Sequence, residues 1–206
     1  MRDADARQRG FTLLELMIAL AIVGAMLAIA VGGVRVALAA LAQGEDRAEA
    51  HQHLRSIALV LGRPVEAAYP YRAAAGETPE PVLLFRGTAE RLELVTQAPP
   101  MPTPIPVAFT AVVIGLDREG DPALEVRQRI LPNRDPFSEA AIALRDPTIH
   151  GLALAYLDAT GAWQEKWDGE AENALPRAVR IAVSTRRAGW SEATLPFVVP
   201  IRTVMP

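Results

Sequence analysis

The chain has 206 residues, half of them apolar, and a formal net charge of −3. This near balance of charge, with no long basic run, argues against a nucleic-acid-binding surface. The absence of cysteine excludes structural disulfides, thiolate metal sites and a cysteine nucleophile. The length allows one globular domain with an appendage.

The N-terminus joins a short polar segment to a long apolar one. Residues 1–10 read MRDADARQRG, in which three arginines outnumber two aspartates. No charged residue occurs from Leu16 to Val34, and as a helix this stretch spans roughly 28 Å, close to the ~30 Å hydrocarbon core of a bilayer. Because the arginines precede it, the positive-inside rule places the start in the cytoplasm and the chain after Arg35 outside.

Two ordinary interpretations of the apolar segment compete. A secretory signal peptide should have an apolar run of about 7–15 residues that is followed, not preceded, by its small-residue cleavage site. A plain single-span anchor fits the apolar run but leaves Glu15 unexplained. Because an ionisable side chain within a membrane helix is costly and usually functional, Glu15 favours a specialised segment over both.

The sequence from Gly10 to Glu15, Gly-Phe-Thr-Leu-Leu-Glu, resembles the class III signal of type IV prepilins and type II secretion pseudopilins. The resemblance implies that a prepilin peptidase cleaves between Gly10 and Phe11 and that Phe11 becomes the N-methylated terminus. It also implies that Glu15 serves assembly, by pairing with the N-terminal amine of a neighbouring subunit. The implied location is the bacterial inner membrane, single-pass, with a cytoplasmic N-terminus and a periplasmic head.

The helix is predicted to continue beyond the membrane. Apolar residues from Leu54 to Leu61 recur at i, i+3, i+4 and i+7, the spacing of an amphipathic helix. Gly62 and Pro64 then predict its end, so a single helix should run from about Phe11 to Leu61.

Beyond Pro64 the pattern changes to short strands and turns. Strands are predicted at Val82–Arg86, Arg91–Thr96, Ala108–Leu116, Leu124–Ile130, Leu152–Leu157, Val179–Thr185 and Phe197–Val204. In the fourth of these the apolar alternation breaks after Val126, which indicates a bulge or a sheet edge. The proline-rich segment Ala98–Pro106 predicts an extended surface loop.

The predicted fold is therefore α+β and pilin-like, with a long N-terminal helix packed on a β-sheet-rich head. Its expected parts are a leader at 1–10, a membrane-spanning half of the helix at 11–35, an amphipathic half at 36–62 and an extracytoplasmic head at 63–206.

A second resemblance lies in the head. The J-type minor pseudopilin of type II secretion has a similar series of features, here Tyr156-Leu-Asp158, a turn at Gly161, Trp163, Trp167 and Leu175-Pro-Arg-Ala-Val179. The resemblance implies a structural subunit of the pseudopilus tip complex, which supports export of folded proteins across the outer membrane. The implied partners are the I-, K- and H-type minor pseudopilins, the major pseudopilin and the secreted cargo. The alternative is a minor pilin of a type IV pilus or DNA-uptake machine, which shares the N-terminus.

Residues suited to catalysis or metal binding do not form a convincing site. His51 and His53 are two residues apart and cannot form the i, i+4 pair of a helical zinc site. The acidic segment Asp117–Asp121 offers carboxylates for Ca²⁺, but its place between two strands is more typical of a solvated hairpin turn. A membrane-anchored extracytoplasmic enzyme, the alternative from another class, would need a titratable cluster in a pocket. The sequence thus predicts no catalytic residue, metal site, cofactor or nucleic-acid partner.

Overall fold

The computed structural model of the protein describes residues 12–74, 80–118, 120–186 and 192–202. Gly10 and Phe11, the predicted cleavage and methylation positions, lie outside the described residues. The described chain confirms the α+β fold, a long helix followed by a β-rich head. Its elements are α1 (Leu13–Glu66), β1 (Arg72–Ala73), β2 (Val82–Leu83), β3 (Phe85–Gly87), β4 (Arg91–Thr96), β5 (Thr110–Asp117), β6 (Ala123–Ile130), β7 (Ala141–Asp146), β8 (Ile149–Leu157), β9 (Trp163–Gln164), β10 (Trp167–Asp168), α2 (Gly169–Glu172), β11 (Ala178–Thr185) and β12 (Ala193–Pro200).

The chain divides into two compact units, the first ending at Glu45 and the second beginning at Asp46. In the first unit, every described side chain is exposed, including a long series of leucine, isoleucine, valine and methionine side chains on α1. A continuous apolar surface of this extent is unusual in water. By length and apolar composition the helix could cross a membrane.

In the second unit, the last part of α1 is amphipathic. Ala50, Leu54, Ile57, Leu61 and Val65 are buried, and their spacing of three or four residues places them along one face of the helix. The side chains of the opposite face are exposed. This face is the one predicted from Leu54–Leu61.

The helix ends at Glu66, later than the predicted end at Leu61. Pro64 lies inside the last turn, where it removes one backbone hydrogen bond. Pro64 and Val65 are both buried, and the N–H of Ala67 still donates to the carbonyl of Arg63 at 3.1 Å. Tertiary packing therefore overrides the local stop signal.

The head contains a six-stranded sheet in the order β10-β3-β4-β5-β6-β7, a four-stranded sheet in the order β12-β11-β8-β9 and a β1-β2 ribbon. Every described strand pair is antiparallel. The main hydrophobic core combines the buried face of α1 with apolar residues from both larger sheets. The head is therefore a single packed body that includes the second part of the helix.

Most predicted strands are confirmed, with differences at their ends. The predicted strand Val82–Arg86 is wrong as a single element, because it is divided into β2 and β3, which belong to different sheets. β4 has the predicted bounds, and a register shift between Val126 and Arg127 places a bulge where the alternation breaks. β12 begins at Ala193, before the predicted start at Phe197, because its pairing with β11 runs from Ala193 to Pro200. Proline is tolerated there because β12 is an edge strand. Thr203 and Val204, the end of the predicted strand, lie outside the described residues. The predicted loop Ala98–Pro106 lies outside helices and strands.

A polar contact fastens α1 to the turn between β7 and β8. The Nε2 atom of His53 lies 2.7 Å from Oδ2 of Asp146 and 3.0 Å from Oγ1 of Thr148. The Thr148 hydroxyl donates to the other oxygen of Asp146 at 2.6 Å. The Asp146 side chain is only 10% exposed, so it depends on these partners in place of water.

We expect His53→Ala to lower the free energy of unfolding of the head by ~1–3 kcal/mol, because a nearly buried carboxylate loses a hydrogen-bond partner. Thermal unfolding of the full chain in detergent would measure the change. His51→Ala is the matched control, since His51 is exposed and its replacement should change stability by less than ~0.5 kcal/mol. Equal effects of the two substitutions would contradict the assigned role of His53.

Candidate functional site

The first described residues of α1 form a reciprocal cap. The backbone N–H of Thr12 donates to Oε2 of Glu15 at 3.3 Å, and the N–H of Glu15 donates to Oγ1 of Thr12, also at 3.3 Å. Thr-x-x-Glu is the sequence of a capping box, in which two otherwise unpaired N–H groups at a helix start are satisfied. In the single chain, Glu15 thus caps its own helix.

The surroundings of Glu15 are apolar. Leu13, Leu14 and Leu16 flank it, and their side chains are more than half exposed. Among the described residues, the side-chain hydrogen bonds of Glu15 all involve Thr12. A carboxylate on an exposed apolar helix is therefore accessible to a second molecule that approaches this end of α1.

A buried tyrosine organises the centre of the head. Tyr156 on β8 is fully buried, and its hydroxyl donates to the carbonyl of Thr88 at 2.8 Å. Its ring lies edge-on to Phe85, with centroids 6.3 Å apart. Burial raises the pKa of the Tyr156 hydroxyl well above its usual range, which keeps it a neutral hydrogen-bond donor.

Gly87 on β3 makes room for this tyrosine. A Cβ atom on Gly87 would lie 2.2 Å from Cζ of Tyr156 and 2.4 Å from its hydroxyl oxygen. Both distances are far below van der Waals contact. β3 belongs to the six-stranded sheet and β8 to the four-stranded sheet, so the Gly87–Tyr156 contact sets how closely the two sheets pack.

The two tryptophans that carried the second resemblance lie on different sheets. Trp163 lies on β9, which pairs with β8 and forms an edge of the four-stranded sheet. Trp167 lies on β10, which pairs with β3 and forms an edge of the six-stranded sheet. Trp167 is buried, and its indole N–H donates to the carbonyl of Ala174 at 3.0 Å. Trp163 is 39% exposed and lies under the guanidinium of Arg180, 4.9 Å from the ring centre. The short segment between them therefore links the two sheets.

The turn between the strands β8 and β9 is built around Asp158. Its carboxylate accepts hydrogen bonds from the N–H and hydroxyl of Thr160, the N–H of Ala162 and the side-chain amide of Gln164, all within 2.6–2.9 Å. Gly161 has a φ of +91°, which favours glycine. The turn predicted at Asp158–Gly161 is confirmed, and it fixes the position of Trp163.

Two family models match the sequence. A model described as Type II secretion system (T2SS), protein J matches residues 32–195, most of the chain. The chain belongs to the type II secretion protein J family. A second model, described as the prokaryotic N-terminal methylation motif, matches residues 5–31. No curated protein matches the sequence closely enough to count as a relative.

Membership of the protein J family defines the broad function. The chain is a minor pseudopilin of type II secretion, and its N-terminal helix is long and apolar enough to cross a membrane. The predicted function in secretion is confirmed over the alternative in a type IV pilus. The family is one of structural pseudopilins, which implies that other pseudopilins and a prepilin peptidase act on or with this chain.

The features of the protein J head explain the resemblance in physical terms. Tyr156 is a core anchor, Asp158 forms the turn, and the tryptophans join the sheets. Pro176 is buried two residues before the start of β11. The sequence did not predict Gly87 or Arg180 as their partners, since neither has a local signal that pairs it with a distant residue.

The first residue of the acidic segment, Asp117, forms an ion pair. Oδ2 of Asp117 accepts a hydrogen bond from Nη2 of Arg145 at 2.8 Å, and Glu119 lies outside the described residues. Over the described ranges, no group of three or more His, Asp or Glu side chains is arranged to hold a metal ion.

The hydrogen bonds to Asp158 predict a pH dependence of the stability of the head. They hold the pKa of the carboxyl group well below its usual range, with the Thr160 hydroxyl as the largest cause. A depressed pKa in the folded state stabilises the fold above the ordinary carboxyl pKa of about 4, and this contribution is lost as the pH falls below it. Asp158→Asn should therefore weaken the acid dependence of unfolding below about pH 4. Asp135→Asn, at an exposed aspartate, is the control. If the stability of Asp158→Asn fell with decreasing pH as steeply as that of the native protein, this role of Asp158 would be contradicted.

Proposed function

We propose that this protein J chain is made as a precursor and matures by loss of residues 1–10. A prepilin peptidase cleaves between Gly10 and Phe11, and Phe11 becomes the methylated N-terminus. Residues 11–35 then span the inner membrane, and the rest of α1, which ends at Glu66, includes its amphipathic part. The head lies in the periplasm. The match of the methylation motif to residues 5–31 supports this order, as do the arginines that precede the apolar segment.

Glu15 supplies the charge that sets the register between subunits. Cleavage creates an amine at Phe11, and in a neighbouring subunit the same amine lies close to the level of Glu15. An ammonium and a carboxylate attract strongly where water is excluded, and each is costly if left unpaired. The apolar side chains around Glu15 provide such an environment. Glu15 therefore acts as an assembly residue, and its bonds to Thr12 are exchanged for the intermolecular pair.

The assembled protein belongs to the tip complex of the pseudopilus, with the I-, K- and H-type minor pseudopilins as its direct partners. The tip rests on the major pseudopilin and contacts the cargo during export across the outer membrane. The observation that carries this proposal is the protein J match over residues 32–195, which includes both helix and head residues. The proposed function of the chain is assembly rather than catalysis, because pseudopilin subunits leave the bilayer and their helices pack together in the pseudopilus.

Affinity purification from membranes that contain all pseudopilins of the same system tests the proposal. The tagged full chain should recover the I-, K- and H-type subunits, and its loss should abolish secretion until the native gene is restored. The matched control is a chain with an uncharged leader and the helix replaced by an unrelated membrane span. Recovery of type IV pilus subunits in place of these partners, or unchanged secretion without the chain, would contradict it.

A further inference from the structure

An apolar groove runs along the head between the last turns of α1 and the edge strand β12. Its volume is about 620 Å³. Leu59 and Gly62 line one side, and Phe197, Val198 and Pro200 line the other. Leu59 is 68% exposed and Val198 is 53% exposed. Large apolar side chains facing each other across an open groove commonly mark a protein-binding surface.

The groove is also positively charged. Arg55 and Arg63 line it from the helix side, and neither side chain forms an ion pair with any residue in the described ranges. The third cation, Arg202, is already paired with Glu66, at 3.2 Å between Nη1 and Oε1. Two unneutralised guanidinium groups beside an apolar surface favour a partner that carries carboxylates.

The edge of β12 does not favour strand addition. Among the strands that the structure describes, β12 pairs only with β11, and the groove is lined by its last residues. Pro196 and Pro200 lie on this strand and offer no N–H group. Prolines on an edge strand block the backbone ladder that an incoming strand needs. A partner must therefore bind through side chains, as an amphipathic helix does when it lies in a groove.

We propose that this groove binds an acidic amphipathic helix of another pseudopilin. This inference rests on the proposed function and adds the surface and the chemistry of recognition. Arg55 and Arg63 are eight residues apart on α1, which corresponds to about 12 Å along the helix axis. The partner helix carries an apolar stripe at i, i+3, i+4 and i+7 that covers Leu59 and Val198. Its carboxylates lie two helical turns apart, beside that stripe, and pair with the two arginines.

Site-specific photo-crosslinking of the full chain in membranes, with the other pseudopilins of its system co-expressed, tests the proposal. The crosslinker is placed at Leu59 or at Val198 in the groove. The control position is Ile142 on β7, which is 54% exposed but lies outside the groove. We expect crosslinks from both groove positions to the same helix of another pseudopilin. The crosslinked segment should carry carboxylates two helical turns apart. The yield at Ile142 should be at least about fivefold lower.

Charge reversal then tests the electrostatic part. Arg55→Glu combined with Arg63→Glu should lower the groove crosslink by at least about tenfold, whereas Arg55→Lys with Arg63→Lys should retain most of it. Arg134→Glu is the matched control, at an exposed arginine outside the groove. Added salt should also reduce the native yield. Insensitivity to charge reversal would overturn the proposal.

Other products would overturn it as well. These are adducts to a second copy of this chain, to a cargo protein or to a β-strand of a pseudopilin, and an equal yield at Ile142. Affinity purification distinguishes this failure from a failure of the proposed function. If the other pseudopilins still co-purify while the groove gives none of the expected products, only the groove assignment is wrong. If they do not co-purify, the proposed function is wrong too.

Discussion

Replacing Glu15 by leucine is expected to leave the chain folded and membrane-bound but to reduce its association with other pseudopilins by roughly 100-fold or more. Removing one partner of a buried ion pair costs ~3–5 kcal/mol, and ~1.4 kcal/mol corresponds to a factor of ten in association. The head should be unaffected, because the described contacts of Glu15 are with Thr12. Affinity purification from membranes and the amount of secreted cargo measure the effect.

Three further substitutions separate the charge of Glu15 from its role in the helix cap. Glu15→Gln keeps a hydrogen-bond acceptor for Thr12 but removes the charge, so it should fail to assemble like Glu15→Leu. Thr12→Ala removes the cap and keeps the charge, and it should cost ~0.5–2 kcal/mol of helix stability with assembly retained. Glu49→Gln changes an exposed carboxylate of the same helix and is the neutral control. Failure of Thr12→Ala to assemble, with Glu15→Gln unaffected, would contradict the ion-pair assignment.

Gly87→Ala is expected to destabilise the head more than any other single methyl addition considered. The new Cβ would lie 2.2 Å from Cζ of Tyr156, whose ring is fully buried and bonded to the carbonyl of Thr88. Neither the ring nor the strand can move without disturbing the contact between the two sheets. We expect a loss of at least about 3 kcal/mol, or roughly 6–12 °C in Tm, measured by thermal unfolding of the full chain in detergent.

A double substitution makes this prediction specific. Tyr156→Leu removes the ring atoms that the new Cβ would meet, at its own cost of a few kcal/mol. In combination with Gly87→Ala, the total loss should be smaller than the sum of the two single losses. Gly115→Ala is the matched control on β5, where the nearest atom would lie 3.6 Å away. Strict additivity, or equal losses for Gly87→Ala and Gly115→Ala, would contradict the packing role.

The elements with strong local patterns could be predicted from sequence. The apolar run and the i, i+3, i+4, i+7 spacing predicted a long helix, and the broken alternation after Val126 predicted the bulge in β6. The end of the helix could not be predicted well, because burial of Pro64 and Val65 decides it. The strand β7 was missed, as were the two-residue strands β1, β9 and β10 and the single-turn helix α2. Two-residue strands and a single helical turn are too short to show a periodic pattern, and β10 pairs with β3, which is distant in sequence.

The same distinction applies to the functional residues. Glu15 stands out locally, because a carboxylate in an apolar run has few ordinary explanations. The contact of His53 with Asp146 joins residues 93 positions apart, and the groove joins α1 to β12 at the other end of the chain. Periodicity within a segment carries no information on such pairings, so these contacts can be identified only from the three-dimensional structure.

The maturation of the N-terminus tests the central account most directly. Intact-mass and N-terminal analysis of the chain from membranes, with and without a co-expressed prepilin peptidase, is the measurement. We predict loss of residues 1–10 only with the peptidase, leaving Phe11 as a methylated terminus. Replacement of Gly10 by valine should retain the leader in both conditions. An intact leader on the native chain with active peptidase, or cleavage beyond Val34, would contradict the account.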